Sequence, residues 1–382
     1  YSVAYTRSRR VVNRNTRGVA FLLRKNNVEH IQGAGRLAGE GGVGVSPDGQ
    51  RLNAKNVILA TGARPRTIPP LPVDGDKIIT SREAIVLDQL PSSVVIVGGG
   101  AIGVEFAYIY RMYGVEVTIV ELLPRLVPNE DEDISPILER SFERHGINIM
   151  TGTGVTGARS GPDGVAVTVA KDGAEETLNC EKVLVAIGVQ PNIEDLGLES
   201  MGITIQDGSI QVDDVMLTNV ANVYAIGDVT GKLALAHVAS AQAAIAVEHM
   251  AGLETQTLDY GSIPRATYCN PQIASFGLTE AQAQDQGHDV QIGTFNAQAN
   301  GKALAMGESE GIVKLVVDGK YGELLGAHMI GPEVTELLGE LSLAKVLEGT
   351  TLELGWAIHP HPSISEMLKE AALSAQGRAI HM

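Results

Sequence analysis

The chain has 382 residues, a length suited to two or three domains, and it is 44% hydrophobic and 19% charged with 44 glycines, a globular balance with the glycine excess of nucleotide-binding α/β proteins. Its formal net charge of −16 argues against nucleic acid or an anionic membrane as a general partner. No apolar run reaches the ~20 residues of a bilayer span, and no signal-peptide pattern opens the sequence, so a cytoplasmic location is expected.

Residues 1–30 hold Arg7, Arg9, Arg10, Arg14, Arg17, Arg24 and Lys25, with apolar Val12, Val19 and Leu23. That pattern predicts one helix with a basic, solvated outer face. His30 to Leu37 reads as a strand running into a turn. Val57 to Pro65 (VILATGARP) begins as a continuous apolar run, predicting a strand buried in a sheet. Pro69, Pro70 and Pro72 then break the chain as a linker.

The stretch from Val94 to Glu121 organises the rest. Four apolar residues, Val94 to Val97, are followed at once by Gly98-x-Gly100-x-x-Gly103, a helical run from Ala101 to Tyr113, the stop Gly114, and a second β-rich run ending on Glu121. The acid lies eighteen positions after Gly103, close to the ~20 of a dinucleotide fingerprint. Each residue type has a task. Gly98 permits the tight turn, Gly100 lets backbone approach a pyrophosphate, and Gly103 lets helix and strand pack closely. The helix N-terminus offers its N–H groups to the phosphates. Glu121 would accept from the adenosine ribose and repel a 2′-phosphate, favouring NAD over NADP. A glycine-rich turn without a ligand is the alternative.

The ending of Val57 to Pro65 returns at Val183 to Asn192 (VLVAIGVQPN), an internal repeat. The second copy closes the unit that begins at Gly98. The first should close an equivalent unit, whose Gly-x-Gly-x-x-Gly is not found before it, so a first βαβ unit is expected to lie outside these residues. A third glycine-ended strand, Val223 to Asp228, precedes a helix from about His237 to Met250. Asp228 at a strand's carboxyl end could accept from sugar-like hydroxyls or equally cap a helix. Cys180 and Cys269 fall in no redox or metal spacing, which predicts two reduced, partly buried thiols and no metal site.

After Gly252 the pattern turns to antiparallel strands, at Tyr268–Gly277, 291–295, 311–317 and 324–330, then a helix from Val334 to Leu347. The chain closes on His359-Pro-His361-Pro-Ser-Ile-Ser-Glu366 and a helix from Met367 to Ser374. His361 and Glu366 are acid–base candidates, since a free imidazole titrates near pH 6.5 and a carboxylate fixes its tautomer. The pattern alone also reads as a capping box, Ser363 with Glu366, and His359 reads as structural.

Together these motifs resemble the lipoyl-oxidising (dihydrolipoyl dehydrogenase) branch of the pyridine nucleotide–disulfide oxidoreductase family, over essentially the whole chain. The resemblance implies an α/β fold of two nested Rossmann-like dinucleotide-binding domains, the first incomplete, plus a C-terminal α+β dimerisation domain. The divisions expected are 1–90 (FAD), 91–212 (NAD), 213–258 (FAD, returning segment) and 259–382. It implies FAD contacts at Gly35, Thr61, Gly62, Ala63, Asp228, Ala234, Leu235, Ala236 and His237. It implies NAD contacts at Gly98, Gly99, Gly100, Ala101, Ile102, Gly103, Val104, Glu105, Glu121, Val155 and Gly188, with Glu105 near the nicotinamide. His361 would be the base toward a dithiol bound in the partner subunit, and Glu366 would orient it. The implied reaction oxidises dihydrolipoyl groups and reduces NAD+ through an enzyme disulfide and FAD. The implied partners are a second copy and the lipoyl domains of 2-oxo acid dehydrogenase complexes or the glycine cleavage system. Neither Cys180 nor Cys269 matches the family's redox pair, so the 382 residues by themselves are expected to be inactive. A non-catalytic paralogue and another NAD(P)-linked disulfide reductase are the competing readings.

Overall fold

A computed structural model describes residues 1–39 and 41–381. The chain divides into two compact units: Tyr1–Arg66 with Val86–Gln89 and Val189–Tyr260, and Thr67–Ile85 with Leu90–Gly188 and Gly261–Met382. Residues from Val189 onward group with the first unit, because Leu198, Ile203 and Ile210 share a core with Leu37, Leu59 and Val223. The C-terminal sheet groups with the glycine-motif sheet.

In the first unit, helix Ser2–Lys25 buries none of its residues, as its run of arginines foretells. Strand Ala34–Leu37 pairs antiparallel with Gly42–Ser46, which pairs with Gln50–Asn53. Residues 30–32 are not strand, a correction to the expected extent. Strand Val57–Leu59 pairs parallel with Val223–Ala225 in a two-stranded sheet. Only Leu59 of the three is buried, since full burial of a parallel strand needs neighbours on both edges and covered faces. Past Gly62, whose φ is +68°, the first repeat continues as Ala63–Pro65. That segment pairs antiparallel with Val189–Pro191 of the second.

The second unit holds a five-stranded parallel sheet in the order Ile78–Thr80, Lys182–Val185, Ser93–Val97, Glu116–Val120, Asn148–Met150. Helix Ala101–Met112 crosses between its third and fourth strands, burying Gly103, Val104, Ala107 and Tyr110 on one face, the 3.6-residue period of a packed helix. The expected proline linker is not free of the core: Leu71 is fully buried against this sheet. A second five-stranded sheet is antiparallel, ordered Arg265–Thr267, Gln272–Gly277, Leu324–Gly331, Ile312–Asp318, Val290–Asn296. Tyr268 to Pro271, expected as strand, is a turn instead, since Pro271 has no N–H for a ladder. Helices Val334–Val346 and Glu366–Ala375 cover this sheet, joining Leu341, Met367 and Leu368 to Phe276 and Leu315. Among the described residues no helix is long and apolar enough to cross a membrane, and no group of side chains is arranged to hold a metal ion.

The two sheets of this unit meet at a buried ion cluster. Lys314 Nζ, on a residue 2% exposed, lies 2.8 Å from Asp131, 2.6 Å from Asp133 and 2.7 Å from Glu280. Burial would raise the Asp131 carboxyl, but Lys314 and the N–H groups of Glu280 and Asp133 outweigh it. Burial likewise acts on Glu130, where His328, Ser275 and Arg265 prevail. Both carboxyls therefore sit below their ordinary values of 3.8 and 4.5.

Two outcomes follow for stability. A carboxyl with a depressed folded pKa stabilises fully above its unfolded pKa and ceases to as pH falls through the folded one. Unfolding measured by denaturant should show an acid limb below about pH 4, made shallower by Asp131→Asn. Leu315, fully buried, should cost about 2–5 kcal/mol when replaced by Ala, read as a lower urea midpoint for this unit.

Candidate active site

The glycine loop is shaped by close approaches that only glycine allows. Gly98 has φ +111°, and a Cβ there would strike the Ala186 carbonyl of the neighbouring strand. A Cβ on Gly103 would collide with the Gly98 carbonyl oxygen, so helix and strand are as close as backbone permits. Gly99 backs onto Leu126, whose Cδ2 would be 2.6 Å from an added Cβ. Gly100 differs: open space surrounds its Cβ position, and as N-cap it offers no side-chain acceptor to the helix. The first N–H groups of Ala101–Met112 thus have room and no cap, as a phosphate would require. Ala101 is exposed, Ile102 half-buried and Val104 fully buried.

Glu121 is buried, 8% exposed. Its Oε2 accepts from the Gly99 N–H at 2.6 Å and its Oε1 from the Leu123 N–H at 2.7 Å. The sequence assigned it to a ribose; here it first closes the loop. Each carboxylate oxygen retains a second lone pair for a sugar hydroxyl. Glu105, on the same helix as Gly103, accepts from the Tyr268 N–H at 2.8 Å. Burial raises its pKa against that bond. The buried Cys269 thiol beside it is pushed up by burial and by the Glu105 charge. Cys180 is also buried, its thiol raised to about 11 by burial. Both cysteines are more enclosed than expected, and both are free thiols. Gly188 is exposed with φ +98°. Val155 is half-buried opposite Val169, in the core beneath the parallel sheet.

In the first unit, Thr61 Oγ1 donates to the Asn192 carbonyl at 2.8 Å, and Gly62 O accepts from the Asn192 N–H at 2.9 Å. Ala63 pairs with Pro191. Gly35 is exposed opposite Val45. Asp228 lies half-buried in a 3₁₀ turn, Gly227–Thr230. Helix Ala236–Met250 begins after Ala234 with Leu235 as an N-cap lacking a side-chain bond, and Ala236 and His237 are exposed on its first turn. A carboxylate for hydroxyls and an uncapped helix start suit the ribityl and polar edges of a flavin.

At the C-terminal end His361 Nδ1 lies 3.0 Å from Glu366 Oε1, and Glu366 Oε2 accepts from the Ser363 N–H at 2.9 Å. The imidazole is 79% exposed. Burial would raise the Glu366 carboxyl, but the Ser363 N–H and His361 hold it low. The expected capping box forms by half: Ser365 is the N-cap and makes no side-chain cap bond. His359 is nearly buried and meets Glu340 Oε1 at 2.9 Å. Sequence reasoning missed Glu340, the Tyr268 N–H and the Lys314 cluster. Only Lys314 left a signal, a lone charge inside the apolar run 312–317.

A glycine turn opening onto an uncapped helix start, a carboxylate at the following strand's end and a histidine–glutamate pair are features suited to a dinucleotide-dependent oxidoreductase. Residues 2–243 match the pyridine nucleotide-disulphide oxidoreductase family, and residues 263–372 match its dimerisation domain. The chain is 48% identical to dihydrolipoyl dehydrogenase of Mycobacterium leprae (strain TN), covering 100% of this chain and 83% of that one. It is 44% identical to dihydrolipoyl dehydrogenase of Bacillus subtilis (strain 168), covering 98% and 82%. Among solved structures it resembles LpdA from Mycobacterium tuberculosis, with TM-score 0.90, 29% identity, and 97% and 82% coverage. It also resembles the HOCl-induced flavoprotein disulfide reductase RclA from Escherichia coli, with TM-score 0.83, 27% identity, and 94% and 84% coverage. The chain belongs to the pyridine nucleotide-disulphide oxidoreductase family, flavoproteins that use FAD and NAD, and it carries that family's dimerisation domain.

Replacing Glu121 by Ala should raise the NADH Kd about tenfold, the worth of a charge-assisted hydrogen bond, and narrow the preference for NADH over NADPH. Fluorescence titration of both dinucleotides measures this. An unchanged ratio would remove Glu121 from cofactor selection.

Proposed function

We propose that this oxidoreductase takes dihydrolipoyl groups as substrate, with His361 as the base and Glu366 as the residue that orients it. The observation that carries the reading is the exposed imidazole with its Nδ1 on Glu366. A carboxylate accepts, so Nδ1 carries the proton and Nε2 is left basic and turned outward. The Ser363 N–H fixes the other Glu366 oxygen, so the ring is held in one tautomer and one orientation.

In this reading Nε2 of His361 takes a proton from a substrate thiol. The thiolate so formed would attack the family's redox disulfide, reducing it while the dithiol is oxidised; Cys180 and Cys269, both free, do not supply that disulfide, and the imidazolium is stabilised by Glu366. Bound FAD and NAD+ would supply the electron relay and the hydride acceptor for this oxidation. Thr61, Gly62, Ala63, Asp228 and the 234–237 turn would hold the flavin; Gly98 to Glu105 with Glu121 would hold the dinucleotide, phosphates over Gly100. The exposure of His361 suits a base that serves a second copy of the chain. The partners proposed are that copy and the lipoyl domains of 2-oxo acid dehydrogenase complexes or the glycine cleavage system, in the cytoplasm.

The test uses the protein as the cell makes it. His361→Gln should lower lipoyl-dependent turnover by roughly 10²–10⁴, the usual worth of a general base, while NADH-to-quinone activity, which needs no thiol deprotonation, survives. In a form of the enzyme that carries the family's redox cysteine pair, which Cys180 and Cys269 do not supply, mixing His361→Gln chains with chains lacking that pair should restore activity once subunits exchange. Exchange confirmed by mass spectrometry without returning activity would place the base within its own chain.

A further inference from the structure

The Gly99 peptide is gripped on both sides by the segment after strand Glu116–Val120. Its N–H donates to Glu121 at 2.6 Å, and its carbonyl accepts from the Val127 N–H at 2.8 Å. Leu126 fills the space behind it. Val127 is buried with φ +42°, a left-handed conformation that a β-branched residue adopts only when its surroundings impose it.

Two sets of contacts hold this segment, one local and one from the antiparallel sheet. Locally the Val127 carbonyl accepts from the Glu130 N–H at 2.9 Å, and Ser135 Oγ donates to the Leu126 carbonyl at 2.6 Å. Beyond that, the next acids face basic side chains on three strands. Lys314 bonds Asp131 and Asp133. Asp131 also accepts from the Glu280 N–H at 3.0 Å. Glu130 faces Arg265 at 4.0 Å and His328 Nδ1 at 3.9 Å. His328 is fully buried and its Nε2 donates to the Leu278 carbonyl at 3.0 Å, so Nδ1 is the nitrogen aimed at Glu130.

We infer that Lys314 is a positioning residue for the dinucleotide. By anchoring Asp131 and Asp133 it holds Val127 in its left-handed conformation, and Val127 in turn sets the Gly99 carbonyl and the shape of the glycine loop. Lys314 touches no dinucleotide itself; it acts through the segment from Leu126 to Asp133. The inference rests on the reading of the glycine loop as the NAD site.

The test uses this chain and NADH as the probe, read by fluorescence titration. Lys314→Met should raise the NADH Kd about tenfold, within the range of couplings between distant groups. Glycine adopts positive φ without penalty, so Val127→Gly added to Lys314→Met should recover most of the affinity. A double variant that binds no better than Lys314→Met overturns the inference. So does a Lys314→Met protein of lowered melting temperature whose NADH Kd stays within twofold of the parent. Should Lys314→Met fail to fold, Asp133→Asn, at a partner whose side chain is 58% exposed, serves in its place. A severalfold weaker NADH complex supports the inference and an unchanged one overturns it. Failure of the parent itself to bind NADH would instead sink the dinucleotide reading beneath it.

Discussion

The approach of Gly103 to the Gly98 carbonyl governs this architecture. With no side chain at either position, helix Ala101–Met112 starts directly on the end of strand Ser93–Val97, and its uncapped N–H groups open beyond the sheet's carboxyl edge. Gly98 presses equally on Ala186, in the strand on the other side. The chain goes from Ser93–Val97 outward to Glu116–Val120 and Asn148–Met150, and returns on the opposite flank as Lys182–Val185. That reversal is a topological switch point, where α/β sheets place ligands.

Three glutamates show how one side chain is given different work by backbone. Glu366 accepts one N–H and keeps its other oxygen for His361. Glu105 accepts one N–H in a half-buried setting that raises its pKa. Glu121 accepts two and stays buried. In Glu366 the two contacts do not compete, because one oxygen accepts from the Ser363 N–H and the other meets His361 Nδ1.

What could be read from the sequence was local or strictly periodic. The strand–Gly–helix–strand unit, the antiparallel strands after Gly252 and the spacing of His361 and Glu366 all lie within short windows whose chemistry is self-contained. What could not be read depends on distant segments meeting. Strand Val57–Leu59 looks buried from its composition, yet its exposure is set by how many strands lie beside it. Leu71 looks like linker between prolines, yet the parallel sheet captures it. Asp131 is an ordinary acid in sequence and meets Lys314 only because the fold brings residues 183 apart together.

The internal repeat carries a consequence that neither copy reveals alone. Ala63–Pro65 and Val189–Pro191 are the same ending used twice, and they pair with each other, Gln190 opposite Arg64. The Arg64 guanidinium reaches Asn192 Oδ1 at 2.9 Å and both oxygens of Glu194, at 2.8 and 2.5 Å, lowering that carboxyl to about 2. Asn192 returns a side-chain bond to the Thr61 carbonyl at 2.9 Å. These bonds fall where the chain leaves the first unit after Arg66 and re-enters it at Val189. The exposed Arg64–Glu194 pair adds little stability on its own; its bidentate geometry instead fixes the register of two short strands that three ladder pairs alone would hold weakly.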